Sequence, residues 1–381
     1  MTLHTLQMGM EWYTERPGGL NGVYAHLLAE LAAQDVESVG LVVGTPAVAE
    51  ASGGLANSYA DVDAPLLTRL RAVRAAALPW LRSHGTDAVA VSHFALYALP
   101  LLDHLRRRPF VVHFQGPWGE ESRLEGASRF SAMQKGMLER QVYRQADAAI
   151  VLSSAFADIL ATRFGVARDR IHVIPGGVDA TRFGHTRTRA ESRAELGWPA
   201  DRPIVLCVRR LVRRVGLGAL VEAAVEIRRR VPDALILIAG TGPLRNALEA
   251  QVTALGLHDT VRLIGFVPEA QLPLAYRAAD LTVVPSLTLE GFGLVTVESL
   301  AAGTPCVVTP VGGLSEIIAP LAPQLVTATP SAADIADTLA GALLGERPVP
   351  TSQECAAYAR ARYDWPVIAA RVRAVYARTV A

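Results

Sequence analysis

Lysine is almost absent from this chain of 381 residues: Lys135 is the single one, so arginine carries nearly all of the positive charge. The balance is still neutral, with 37 Lys and Arg against 36 Asp and Glu and a formal net charge of +1. A chain of that kind has no overall field for gathering nucleic acid, which is not an expected partner. Only 19% of residues are charged and 51% are hydrophobic, a globular composition rather than a disordered one. Cysteine is scarce as well. Cys207, Cys306 and Cys355 are widely spaced, without a Cys-x-x-Cys pair or a nearby His pattern, and Cys207 and Cys306, in apolar strand-like runs, read as small core residues. No apolar run approaches the ~18 residues of a membrane span, and Met1-Thr-Leu-His-Thr-Leu-Gln7 has no basic stretch followed by an apolar one. A soluble protein of the reducing cytoplasm is the expectation, with contact to a membrane surface left open.

What the chain does have is an α/β rhythm from end to end. A length of 381 residues is too long for one ordinary core and predicts two domains. Short β-like runs alternate with helical patterns, as in parallel sheets with crossover helices. In the first half the runs are 3–8, 38–43, 88–92, 110–114, 148–152 and 171–174, with helices over 23–33 and 132–146, and 44–60 reading as a loop. A turn-rich stretch, Pro175-Gly-Gly-Val-Asp179 through Trp198-Pro-Ala-Asp-Arg-Pro203, interrupts the rhythm. It restarts with runs at 204–208, 234–239, 261–264, 281–284 and 306–309. The expected division is a first domain over 1–185 and a second over 200–350.

Glu290-Gly-Phe-Gly-Leu-Val-Thr-Val-Glu298 is the most informative stretch. Leu281-Thr-Val-Val-Pro285 in front reads as a buried strand and 294–302 behind as a helix, which puts Glu290 on the strand-to-helix loop. That is where parallel α/β folds bind ligands. Glu298 falls in the second turn of the helix, about 6 Å along its axis from Leu294 at ~1.5 Å per residue. A lone Glu is ordinarily a solvated surface charge. Here the neighbours are Val283, Val284, Leu294, Val295, Val297, Leu300 and Ala301, and a carboxylate among them needs a partner. Two acceptors at fixed depths beside helix N–H groups suit a phosphorylated, hydroxyl-rich ligand.

In this spacing, and in the Gly291-Phe292-Gly293-Leu294 between the two acids, the chain resembles the GT4-type retaining glycosyltransferases. The resemblance implies a GT-B fold, two doubly wound Rossmann-like domains facing each other across a cleft, with a terminal helix from 363 to 381 packing back on the first domain. It implies transfer of a sugar from a nucleotide-diphosphate donor to a hydroxyl or amine acceptor with retention. Glu290 would hydrogen-bond the donor sugar and Glu298 the nucleotide ribose, with Gly291, Phe292, Gly293 and Leu294 offering backbone donors. Arg210 would hold the diphosphate. The family pattern has a Lys five residues after that Arg, but Val215 stands there, and Arg214 or Arg213 is left to supply the second charge. No cofactor is implied beyond the donor substrate, among which UDP-sugars are favoured. The acceptor is expected to be a small molecule or a glycan.

The remaining candidates are more ambiguous singly. Arg16-Pro-Gly18-Gly19-Leu-Asn-Gly22 opens a helix directly after the first strand region, and bare glycines there let N–H groups approach a phosphate or hydroxyl. The resemblance puts Gly19 against the donor, with Gly18 toward the acceptor. His113, near the end of a strand, matches a family His near the donor sugar, and is otherwise structural. Trp118 either stacks on a sugar ring or fills a core. Gly240-Thr-Gly-Pro243 and Gly265-Phe-Val-Pro268 each follow a strand, and the resemblance puts Val267 beside the base. Asp61-Val-Asp63 follows a loop and reads as a solvated turn, so no metal is expected: two guanidinium groups and a helix N-terminus suffice for the leaving diphosphate. A GT-B epimerase or phosphorylase, or a non-catalytic sugar-nucleotide-binding relative, would share these features.

Overall fold

The computed structural model describes residues 2–16, 18–184 and 187–380; Pro17 of the glycine loop and His185 at the expected domain end lie outside them. The chain divides into two units, Met1–Gly177 with Trp365–Ala381, and Val178–Asp364. The first therefore ends sooner than residue 185. Val178 already belongs to the second unit, where its N–H donates to the Tyr363 carbonyl at 2.8 Å.

Among the described residues the first unit holds seven strands: β1 (Leu3–Glu11), β2 (Val36–Val43), β3 (Ala56–Ala60), β4 (Ala88–Ser92), β5 (Phe110–Phe114), β6 (Ala148–Val151) and β7 (Ile171–Val173). They lie in the order β3-β2-β1-β4-β5-β6-β7, every pair parallel. The strand β3 corrects the reading of 44–60 as loop throughout. Its sequence, Ala-Asn-Ser-Tyr-Ala, has little of the β-branched character that marks a strand, and pairing with β2 at the sheet edge decides its conformation. Both faces of the sheet are covered, so β4 and β5 are buried along their whole length. Phe114, Tyr143, Phe156 and Phe164 interlock edge to face beneath it. The helix Trp365–Val380 packs in this unit, its Trp365 ring stacked on His26 at 5.6 Å.

The second unit holds β8 (Ile204–Val208), β9 (Leu235–Ala239), β10 (Val261–Gly265), β11 (Leu281–Val284) and β12 (Cys306–Val308), in the order β10-β9-β8-β11-β12 and again all parallel. The chain winds outward from β8 to one edge, then returns to β11 on its other side. Loops leaving β8 and β11 thus flank the switch point, the place where such sheets receive ligands.

Candidate functional site

The loop after β8 runs Arg209 to Gly216, and the loop after β11 runs Pro285 to Gly293. They interlock. The Leu287 N–H donates to the Arg214 carbonyl at 2.9 Å, and Arg214 Nη1 donates to the Leu289 carbonyl at 3.2 Å. Gly216 has φ of 81° and lies against the Pro285 carbonyl, where any Cβ would collide. Leu289 is held at φ 48°, an uncommon value for a residue with a side chain. The next residue is Glu290.

Glu290 is buried. Its Oε2 accepts a hydrogen bond from Ser286 Oγ at 2.7 Å and is ion-paired with Arg209 Nη2, which also donates to Ser286 Oγ at 3.2 Å. Arg209 was not among the residues the sequence singled out. It is one of four arginines, 209, 210, 213 and 214, in the loop after β8, and its partner lies 81 residues further on; only the fold joins them. The Nε atoms of Arg209 and Arg214 are both buried with no hydrogen-bond partner. Arg210, the expected diphosphate ligand, is exposed, as is Arg213, and Val215 is buried.

Behind Glu290 the helix Leu294–Ala301 starts at Gly293, φ 89°, without a side-chain cap. The Thr296 N–H is taken by the Gly293 carbonyl at 2.9 Å, and the N–H groups before it meet no side-chain cap, an end suited to an anion. Phe292 is buried beside Tyr363, 5.7 Å between rings, while Gly291 and Leu294 are half-buried. Glu298, one turn into this helix, accepts a 2.8 Å hydrogen bond from Tyr276 Oη. Burial raises its pKa above the ordinary carboxylate value, against the lowering effect of that bond. Val267 is half-buried on the loop after β10, and the Gly240 N–H after β9 donates to the Gly265 carbonyl at 2.7 Å. The second unit thus brings together Arg209, Arg214, Glu290 and the N-terminus leading to Glu298.

In the first unit, Gly18 and Gly19 are exposed at the start of the helix Gly19–Ala32, which has no side-chain cap. Asn21 secures this turn by donating to the Arg16 carbonyl at 2.9 Å. His113 is buried at the end of β5. Its Nε2 shares a 2.7 Å hydrogen bond with Tyr376 Oη, and its ring stacks on His93 at 4.2 Å. Burial lowers its pKa to about 3, so the ring is neutral. Trp118 begins the helix Trp118–Leu124, with Lys135 Nζ 4.7 Å from its ring centroid and Phe94 edge-on. Sequence reasoning also passed over Glu139, a buried carboxylate that accepts the Trp118 and Gly119 N–H groups at 3.0 and 3.1 Å. Burial raises its pKa to about 7. Asp61 accepts the Asp63 N–H at 2.9 Å, a local turn, and no cluster of metal-ligating side chains occurs among the described residues.

Two family models divide the chain between them: Glycosyltransferase Family 4 over residues 17–182 and Glycosyl transferases group 1 over 188–362. A GDP-mannose-dependent alpha-(1-6)-phosphatidylinositol monomannoside mannosyltransferase of Mycobacterium tuberculosis is 32% identical over 273 residues, 66% of this chain and 70% of that protein. A D-inositol 3-phosphate glycosyltransferase of Nocardia farcinica is 39% identical over 216 residues, 55% of this chain and 47% of the relative. The chain spans about half the length of the first curated relatives it matches. Anabaena HepE, solved in complex with UDP, superposes with a TM-score of 0.79 at 19% identity, covering 98% of this chain and 99% of its own. The fold is that of the GT-B glycosyltransferases. The chain belongs to the GT4 glycosyltransferase family.

Proposed function

We propose that the protein is a retaining glycosyltransferase that moves a sugar from a nucleotide-diphosphate donor to a hydroxyl or amine acceptor without a metal ion. The observation that carries this is Glu290: a buried carboxylate at the switch point, beside the uncapped N-terminus of the helix that bears Glu298. A carboxylate that accepts sugar hydroxyls and N–H groups that face a phosphate are what a sugar diphosphate requires. In this reading Oε1 of Glu290 receives the donor sugar, because Arg209 and Ser286 hold Oε2. Glu298 accepts from the ribose, Val267 borders the base, and Gly291 to Leu294 present backbone N–H groups. Arg210 and Arg214 bear on the diphosphate, and the departing oxygen is stabilised as charge develops on it. Gly19 serves the donor, and Gly18 and Trp118 serve the acceptor side. His113 acts as a neutral hydrogen-bonding ring, not as a proton donor.

The donor is proposed to be a UDP-sugar, with HepE bound to UDP in support and the GDP-mannose relatives as the competing indication. Calorimetry against UDP-, GDP- and ADP-sugars tests this. The UDP-sugar should bind at least about tenfold more tightly than the others, tighter binding of the GDP- or ADP-sugar overturns that choice of donor, and EDTA should leave turnover unchanged. Binding of none, or an activity that stops on chelation and restarts with magnesium, contradicts the reading.

Contact with a membrane surface is assigned to the helix Arg129–Tyr143. Phe130, Met133 and Met137, at helical spacing on one face, are 64%, 57% and 59% exposed. Arg129, Arg140 and Arg144 are exposed around them, and Glu139, the helix's one acid, is turned inward. A basic rim around an apolar strip suits an anionic bilayer. No helix among the described residues is long and apolar enough to cross a membrane. The protein should float with phosphatidylglycerol-containing vesicles and not with pure phosphatidylcholine, and a folded Met133→Glu/Met137→Glu variant should not float. Equal behaviour of variant and parent removes the assignment.

A further inference from the structure

We infer that Arg209 supplies a further cation for the donor diphosphate beside Arg210 and Arg214, making up for the charge that Val215 does not provide. This rests on the reading of the second unit as a nucleotide-sugar site. Val215 is buried at 2% exposure in the short 3-10 turn Arg213–Val215, with its side chain in the core. No cation reaches the site from there.

Arg209 takes up a different position with the same charge. It leaves β8 at the switch point, and its side chain is only 10% exposed. The backbone is fixed there: its N–H donates to the Ala239 carbonyl at 2.9 Å, and its carbonyl lies against Gly240, whose φ of 138° and closeness leave no room for a Cβ. A guanidinium carries five N–H donors. The contacts to Glu290 and Ser286 both fall on Nη2, while Nε is buried with no partner. Arg214, across the same loop, also has a buried Nε with no partner. Arg69, Arg108 and Arg373 also carry a buried Nε with no partner, so what points to an anion is the combination at Arg209: a guanidinium whose side chain is 10% exposed, at the switch point, with its contacts to Glu290 and Ser286 confined to Nη2, near an uncapped helix N-terminus.

The pairing with Glu290 fits this role. A buried ion pair adds little net stability over an apolar pair of the same shape, so stability alone does not account for it. What the pair does is fix the guanidinium plane with Nη2 toward the carboxylate that receives the sugar, leaving other donors for phosphate oxygens. One cation then spans both ends of the bond to be broken. Arginine suits this because its rigid fork addresses two anions at once, which a lysine cannot do.

The test is calorimetric, with UDP, GDP and ADP and their matching nucleosides as probes, on Arg209→Ala, Arg209→Lys and Arg209→Ala/Glu290→Gln, each checked for folding by thermal melt. The double variant removes the carboxylate charge that Arg209→Ala would leave unpaired. Arg209→Ala should weaken diphosphate binding about ten- to a hundredfold while nucleoside binding is unchanged. The double variant should keep that deficit, and Arg209→Lys should recover part of it. Restoration of diphosphate affinity by Glu290→Gln would show that Arg209 is only the counter-ion of Glu290 and overturn the inference. Equal diphosphate affinity in parent and Arg209→Ala would overturn it while leaving the nucleotide-sugar reading intact. A parent that binds none of the three diphosphates overturns both.

Discussion

Replacing Glu290 with Ala should lower turnover by about a hundredfold or more, and by more than it lowers nucleotide affinity. The carboxylate stands where the donor sugar is proposed to lie, so its contacts bear on the geometry of the reacting centre, where small misplacements have effects of that size. The substitution also strips Arg209 of its buried partner, and breaking such a pair destabilises by roughly 3–5 kcal/mol. Glu290→Gln is therefore the companion variant: it retains the shape and a hydrogen-bond acceptor, should melt closer to the parent, and should still lose most of the turnover. Steady-state kinetics with separate kcat and KM, beside calorimetry of the nucleotide, checks this. Normal turnover in a folded Glu290→Ala enzyme rules out the assigned role.

Glu298→Gln should instead weaken donor binding, by about 1.5–3 kcal/mol for the loss of a charged hydrogen bond. The pH dependence sharpens this prediction. Burial raises the Glu298 pKa above the ordinary carboxylate value, so acidification protonates it early and removes the acceptor the ribose needs. Donor affinity should fall as pH drops through that raised pKa, and the Gln variant should show no such fall. Stability responds in the opposite direction: a folded-state pKa above the unfolded one contributes stability at low pH that is lost as pH rises through it. Calorimetry of the best-binding nucleotide across acid pH gives the answer. A Gln variant with parental affinity, or with the parental pH slope, sinks the ribose assignment.

Much of the fold was legible because its signals are local. The run Leu281–Val284 followed by Pro285 and the Gly-Phe-Gly turn located a strand, a loop and a helix, and with them the positions of Glu290 and Glu298. The strand β3 was not legible, since Ala56 to Ala60 become a strand only by lying beside β2. Site features made by distant residues were hidden for a related reason. Among four arginines after β8 the sequence favoured Arg210 by motif position, whereas burial and partners distinguish Arg209 and Arg214. His113 was ambiguous from its strand-terminal position. Its bond to Tyr376, at the far end of the chain, together with burial, makes it a neutral interior ring. Glu139 reads as one more helical acid until the fold places it under the Trp118 and Gly119 N–H groups.

The central claim is sugar transfer with retention from a nucleotide-diphosphate donor. It is tested most directly by proton NMR of the glycoside formed from the best-binding nucleotide sugar, reading the anomeric configuration of the product against that of the donor. The account predicts the same configuration in both, in the presence of EDTA. A product of inverted configuration would contradict it.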